Sequence, residues 1–253
     1  QFDSILINNN RISLSSFTYK DLRDNKPDNK VSMHQLELYG LSWDDLIFQQ
    51  QLKAERVILY RPVIDYEPAT GKDGDLFAAL AGIGKVLQLD NLQIVDGQIT
   101  IRFPNQGRLQ LNDASLLIQA GQLVEAKQPA QVKATVDWLR FREGSLQLAG
   151  TKARFTGAAY QGDSGEILAD GIELEQRNGT KIHAKGVKIA SMLFDEQLKF
   201  LSIHDLQWQQ ASVKYRKGNE SSPGGQPLLI NGINGARTDL DIMLVNKQLN
   251  AGL

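Results

Sequence analysis

The stretch "LQIVDGQITI" (Leu92–Ile101) decides the fold. Leu92 and Ile94 alternate as the dry positions of a half-buried strand do, and so do Ile99 and Ile101. The two pairs have opposite parity, because the phase slips by one residue across Asp96-Gly97. Two devices would keep all four side chains on one face. A two-residue hairpin at Asp96-Gly97 would set Ile94 against Ile99. A β-bulge would instead add one residue, bend the strand and let it continue.

The same phrase recurs as "VILYRPVIDY" (Val57–Tyr66), "LRFREGSLQL" (Leu139–Leu148) and "LQWQQASVKY" (Leu206–Tyr215). The template is apolar, x, apolar, x, x, Gly/Pro/Ala, x, apolar, x, apolar. Every apolar slot in all four copies holds an aliphatic or aromatic residue. Pro62 takes the glycine position in the first copy, and proline cannot adopt the positive φ of a type I′ turn. A bulge or sheet corner is therefore the favoured shared device, with a true hairpin open at Asp96-Gly97. A second phrase links "GLSWDDLIF" (Gly40–Phe48) to "GVKIASMLF" (Gly186–Phe194) and predicts that Phe48 and Phe194 fill equivalent apolar seats.

Outward from these phrases the chain reads as strand after strand. "QLELYG", "RLQLNDASLLI", "TVDWLRF" and "DLDIMLV" alternate, and Asp96-Gly97, Asp170-Gly171, Asn178-Gly179, Asn231-Gly232 and Asn234-Gly235 read as turn signals. Ser42 followed three residues later by Asp45 predicts an N-capped helix over 43–48. Apolar residues at 76, 77, 80, 83, 86 and 87 share one helical face and predict a helix over 73–88. "KDLRDNKPDNK" (Lys20–Lys30) and "RKGNESSPGGQP" (Arg216–Pro227) read as mobile loops.

The expected fold is mainly β: an elongated curved sheet of repeated strand units with an apolar inner face, plus two or three short helices. A closed β-sandwich or a solenoid is the alternative. Residues 1–130 form the first module, with helices near 43–48 and 73–88; residues 131–253 continue the same sheet as a second. Unequal spacing of the four centres, at 62, 97, 144 and 211, argues against a propeller or regular β-helix.

Composition narrows the function classes. Twenty-eight Lys+Arg against 29 Asp+Glu leave a net charge of -1 with no basic stripe, which argues against nucleic acid as a partner. The absence of cysteine removes disulfides, thiolate metal sites and a Cys nucleophile. His34, His183 and His204 lie at no clustered ligand spacing, so no metal or cofactor is expected. "GIGKV" (Gly82–Val86) lacks the glycine and the Ser/Thr of a phosphate loop, and "GDSGE" (Gly162–Glu166) is offset from a nucleophile elbow and reads as a turn. No catalytic set emerges, and the chain reads as a non-enzyme. No run approaches the ~18 apolar residues of a membrane span. Gln1 opens directly into a strand-like run, so a removed upstream segment is expected, whether a signal peptide, an anchor helix or an artificial boundary.

"LELYGLSWDDLIFQQQLKAERVILYRPVIDY" (Leu36–Tyr66) and "VLQLDNLQIVDGQITIRF" (Val86–Phe103) resemble the bacterial AsmA-like group, the envelope proteins related to TamB and the bridge-like lipid-transfer proteins. In that group a strand of this form recurs, often after a short helix; the likeness covers residues 1–120 best. The resemblance implies a periplasmic β-groove, anchored in the inner membrane through a segment upstream of residue 1 and linked to lipid transport or outer-membrane homeostasis. It implies lipid or another envelope protein as partner and supplies no catalytic residue. The candidate groove lining is Leu92, Ile94, Ile99, Ile101, Leu139, Phe141, Leu146 and Leu148; any of these serves equally as a core residue. The alternative function is a structural or adhesion module that binds a protein or glycan through its loops.

Overall fold

The computed structural model describes residues 1–20, 30–49, 51–67, 87–102, 107–125, 135–148, 150–194, 201–216, 228–244 and 247–252. They are mainly β with two short helices, as the alternation predicts. The chain divides into two compact units, Gln1–Leu139 and Arg140–Leu253.

The first unit contains β1 (Ser4–Asn8), β2 (Arg11–Lys20), β3 (Lys30–Tyr39), α1 (Trp43–Phe48), β4 (Leu52–Tyr60), β5 (Val63–Tyr66), β6 (Leu87–Arg102), β7 (Arg108–Gln119) and α2 (Ala120–Glu125). Its sheet order is β1-β2-β3-β4-β6-β7, with β5 continuing the line of β4 between β3 and β6. All neighbours are antiparallel except that β4 and β5 run parallel to β6. The strand β8 (Val136–Leu148) crosses the boundary at Leu139.

The second unit holds the rest of β8, then β9 (Thr151–Gln161), β10 (Ile167–Gln176), β11 (Lys181–Phe194), β12 (Leu201–Trp208), β13 (Gln210–Arg216), β14 (Leu228–Gly235), β15 (Thr238–Leu244) and β16 (Lys247–Gly252). It repeats the plan of the first. One strand pairs antiparallel with a broken strand, β12 then β13, which pairs in parallel with the next, β14 then β15. An antiparallel strand, β16, follows.

The phase slip of the repeated phrase is a bulge. β6 runs unbroken through Asp96 and Gly97, so no hairpin forms there. Ile94 lies opposite Leu116, Gly97 opposite Ala114 and Ile99 opposite Leu111. Three residues of β6 thus span two of β7, and the next two of β6 span three of β7. Asp96 and Asp113 take the left-handed conformation at φ 53° and 50°. That region costs most residues roughly 1–2 kcal/mol, and aspartate tolerates it better than most. The Asp96 N–H donates to the buried Ser115 hydroxyl at 3.0 Å, which helps hold the bulge.

The bulge of the first copy lies beside it. Arg61 is left-handed at φ 48°, its N–H donates to the Val95 carbonyl at 2.8 Å, and the Gln98 N–H donates to the Pro62 carbonyl at 2.7 Å. Parallel pairing sets the slots of the two copies side by side: Val57 against Leu92, Leu59 against Ile94, Ile64 against Ile99 and Tyr66 against Ile101. The Gly/Pro/Ala slot is buried in all four copies, at Pro62, Gly97, Gly144 and Ala211, and the residue before it is exposed in all four. The backbone device differs among them. Glu143 and Gln210 do not share the left-handed φ of Arg61 and Asp96, and the fourth copy breaks at Gln209, between β12 and β13.

Several expectations are corrected. Four of the five dipeptides read as turns lie inside strands: Asp96-Gly97 in β6, Asp170-Gly171 in β10, and Asn231-Gly232 and Asn234-Gly235 in β14. Asn178-Gly179 makes the expected turn, with Gly179 at φ 82°. The second phrase does not correspond to a structural repeat. Gly40–Phe48 ends in α1, whereas Gly186–Phe194 is β-strand, and Phe48 is 80% exposed rather than seated. The cap of α1 forms as predicted: the Asp45 N–H donates to the Ser42 hydroxyl at 3.4 Å, and that hydroxyl donates back to the Asp45 carboxylate at 2.6 Å. The hydroxyl and then Lys53 hold the Asp45 carboxyl below its ordinary range. Leu87 and Gln88, the last two residues of the predicted 73–88 helix, are strand; the remainder of that segment, and most of both predicted mobile loops, lie outside the described residues. The helix α2 has no counterpart in the sequence pattern.

A Cβ at Gly97 would sit 2.9 Å from both the Ile94 γ-methyl and the Pro62 ring. Gly97→Val is expected to lower unfolding free energy by about 1–3 kcal/mol, read as a drop in the urea midpoint. Gly121→Ala in α2, where the added carbon meets only the Leu89 carbonyl at 3.6 Å, is the control that leaves the midpoint unchanged or raised.

Candidate functional site

One face of the first unit carries unbroken apolar rows. The register places Ile7, Ile12, Leu38, Val57, Leu92 and Ile118 side by side across six strands. The next row is Ile5, Leu14, Leu36, Leu59, Ile94 and Leu116. Beyond the bulge line the same face continues with Tyr19, Val31, Ile64, Ile99 and Leu111. Leu38, Ala54 and Val57 are the buried centre, and Ile12, Leu36, Leu41, Leu52, Leu59, Leu89 and Leu92 pack around them only half-buried.

The parity flip extends beyond the copies visible in sequence. Ile12 and Leu14 give way to Phe17 across the left-handed Ser16, at φ 53°. In the antiparallel β3 the order is reversed: Leu38 and Leu36 lead to Met33 across the exposed His34. A phrase searched in one direction misses β3, and Phe17 in the Gly/Pro/Ala slot hides β2.

The second unit builds the same kind of face. Tyr160, Ile167, Ile189, Leu206 and Ile233 form one row; Phe155, Ile172, Ala184, Ala211 and Thr238 form another. Ala158, Ala169, Val187 and Ile189 are its buried centre, with Phe141 and Trp208 packed against them. Here a degenerate fifth copy of the template appears, with Thr238 in the Gly/Pro/Ala slot. Ile233, Gly235, Thr238, Leu240 and Ile242 lie in register with Leu206, Trp208, Ala211, Val213 and Tyr215. Gly235 takes an apolar slot because the Trp208 indole occupies the space its side chain would need. The indole N–H donates to the Thr238 hydroxyl at 2.9 Å.

Of the predicted lining residues, the structure brings Leu92, Ile94, Ile99 and Ile101 onto one face of β6. Ile94 and Ile99 are buried; Leu92 and Ile101 are half-buried. In β8, Leu139, Phe141 and Leu146 are half-buried, and the Leu148 side chain lies outside the described residues. The most exposed members of these rows, Ile5, Ile7 and Tyr19, and the half-buried Leu14, Leu36 and Leu116 are not among the predicted lining residues. Only the cross-strand register shows that they share the face.

The opposite face of the first unit carries a polar cluster around Glu37, whose side chain is 5% exposed. The carboxylate accepts from Arg11 Nη1 at 3.2 Å, Gln35 Nε2 at 2.9 Å and the Tyr39 hydroxyl at 2.7 Å. Gln35 also donates to the Ser13 hydroxyl at 3.0 Å, and the Arg11 guanidinium stands 6.0 Å over the Tyr39 ring. Burial, and then the Glu37 charge, push the Tyr60 phenol above its usual range. Three donors thus converge on one carboxylate, a knot that ties β2 to β3. In sequence Glu37 reads as one more wet-face residue of "QLELYG".

The three histidines lie apart, on β3, β11 and β12; His183 Nδ1 is 3.7 Å from Glu173 on the surface. Among the described residues no group of three His, Asp or Glu side chains is placed to hold a metal, and no helix is long and apolar enough to cross a membrane. "GDSGE" is the expected turn, with Gly165 at φ 70°; "GIGKV" lies outside the described residues. A shallow dish of about 340 Å³ lies over the turns of the second unit, lined by Gln147, Lys152, Glu175 and Arg177 among others. Lys181 holds the Glu175 carboxyl below its ordinary range.

No family model, curated protein or solved structure matches this chain.

Glu37→Leu removes the acceptor on which three donors converge. Because Arg11 is a third exposed and rehydrates, the expected loss is about 1–3 kcal/mol rather than the full penalty of a buried orphan charge. Urea denaturation of this variant beside Arg11→Ala measures it; an unchanged midpoint for Glu37→Leu would show that the knot contributes nothing.

Proposed function

We propose that this chain is a non-enzymatic periplasmic domain of AsmA-like type whose apolar face shelters lipid acyl chains, in support of lipid transport or outer-membrane homeostasis. The observation that carries the reading is the continuity of the aliphatic rows. Strands lie about 4.8 Å apart, so a row of six spans roughly 24 Å. That exceeds the ~15 Å depth of one leaflet's hydrocarbon. Leu14, Leu36, Leu59, Leu92 and Leu116 stand in these rows only half-buried, which suits contact with a mobile apolar guest. Contiguous exposed apolar surface of this kind marks a binding site more often than chance. Anchorage through a segment upstream of Gln1, and lipid or an envelope protein as partner, belong to the same proposal.

A second reading draws on the dish over the second-unit turns. Its lysine, glutamate and arginine suit a protein or glycan ligand held through loops, as in an adhesion module.

Native mass spectrometry of the chain expressed in a bacterial periplasm separates the two. Phospholipid adducts are expected on the unmodified chain. Leu92→Glu with Leu116→Glu should lose most of them, about tenfold or more, while far-UV circular dichroism stays β-rich. Lys152→Ala with Arg177→Ala should keep them. A chain that carries no lipid, or carries it undiminished in the double glutamate variant, removes the acyl-chain reading.

A further inference from the structure

We propose that β1 is a self-complementary edge, through which two copies of this chain join antiparallel about a two-fold axis at Leu6. Among the described residues the strand is the first of its sheet and pairs with β2 alone. All five of its residues are exposed, with Ile5 at 49% and Leu6 and Ile7 at 56%. Sheet edges in monomeric proteins are normally blunted by a charge, a proline or a bulge. From Ser4 to Asn10 there is no charged residue and no proline, and none of these residues has a positive φ.

The backbone presents the right groups outward. Asn8 faces Arg11 across the two-residue connection Asn9-Asn10. The residues that close such a hairpin exchange both hydrogen bonds, and the pattern then alternates along an antiparallel pair. Ser4, Leu6 and Asn8 therefore direct their N–H and C=O groups to β2, whereas Ile5 and Ile7 direct theirs away from the sheet. A second copy of β1, run antiparallel with Leu6 on the axis, places its Ile7 against Ile5 and its Ile5 against Ile7. Each pair exchanges two hydrogen bonds, four in all.

The side chains agree with that register. "SILIN" reads the same in both directions apart from Ser4 and Asn8, and those two polar residues face each other. Ile5 and Ile7 stand at the ends of the apolar rows that begin Ile5-Leu14-Leu36 and Ile7-Ile12-Leu38. The pairing joins these rows to those of the second copy. Leu6, on the other face, meets its own equivalent. Other registers lose a hydrogen-bonded pair or set serine against isoleucine. The edge thus fits a second copy rather than an unrelated strand, whether or not the apolar face takes lipid. Two five-residue edges bury less than a standard interface, so the dimer is reversible and concentration-dependent.

The absence of cysteine makes the geometry directly testable. Leu6→Cys puts two thiols on the axis, in a non-hydrogen-bonded pair whose Cα atoms are about 4.5 Å apart, within disulfide reach. Ser4→Cys puts them four residues out of step, about 13 Å apart along the strands. Mild oxidation of the 253-residue chain at roughly 100 μM should link Leu6→Cys into a dimer and leave Ser4→Cys monomeric. Sedimentation should show the unmodified chain dimerising as concentration rises. Ile7→Pro removes an outward N–H that β2 does not use and should give a monomer with unchanged circular dichroism. If that variant fails to fold, Leu6→Lys tests the same edge. A monomer at every concentration, equal cross-linking at positions 4 and 6, or a dimer that survives both Ile7→Pro and Leu6→Lys overturns the proposal.

Discussion

A strand shows its side chains to alternate faces, so an added residue turns everything beyond it to the wrong side unless the backbone absorbs it. In this chain that absorption occurs at matching levels of neighbouring strands. Arg61 and Asp96 take the left-handed conformation side by side, and Asp113 answers from β7. Each of these conformations is unfavourable for an isolated residue. They persist because each brings the next aliphatic side chains back over the same face, where cross-strand apolar contacts contribute about 0.2–1 kcal/mol per pair.

Parallel pairing explains why the phrase is repeated. Two parallel strands in register present corresponding positions to each other. A strand with bulge and slots at given places therefore fits best beside one with the same places. That holds for Val57–Tyr66 beside Leu92–Ile101, and for Leu206–Tyr215 beside the strand through Ile233 and Ile242. Where neighbours are antiparallel, as β3 is to β4, the complementary strand carries the phrase in reverse. The two units share this plan, each with a broken strand flanked by an antiparallel and a parallel neighbour.

Much of the strand content was legible because alternation is a local property. The cap at Ser42 and Asp45 was legible for the same reason. Asp96-Gly97 and Asn231-Gly232 misled because a tight turn and a bulge can make the same local demand, a backbone at positive φ; Asp170-Gly171 and Asn234-Gly235 lie in strands without it. Asp96 and Gly232 meet that demand inside strands, Gly179 in a turn. What separates the cases is whether partner strands flank both sides, and that is decided by residues far away in sequence. Glu37 was hidden for a similar reason. Its neighbours Gln35 and Tyr39 are local, but Ser13, Arg11 and Tyr60 come from other strands. The fifth copy was hidden because a tryptophan on one strand fills the place of a side chain on the next, so an apolar slot reads as glycine, and because Thr238 holds the Gly/Pro/Ala slot. The short helix α2 carries no comparable local signal.

The Trp208–Gly235 arrangement carries an evolutionary consequence. Space owned by two adjacent positions has been assigned wholly to one of them, so neither residue is free to drift by itself. A bulky replacement at 235 is tolerable only in a lineage that has already shrunk 208, and a small residue at 208 leaves a void that 235 cannot fill alone. Substitutions at this pair are therefore expected to travel together among descendants of this chain, while the exposed positions around them vary one at a time.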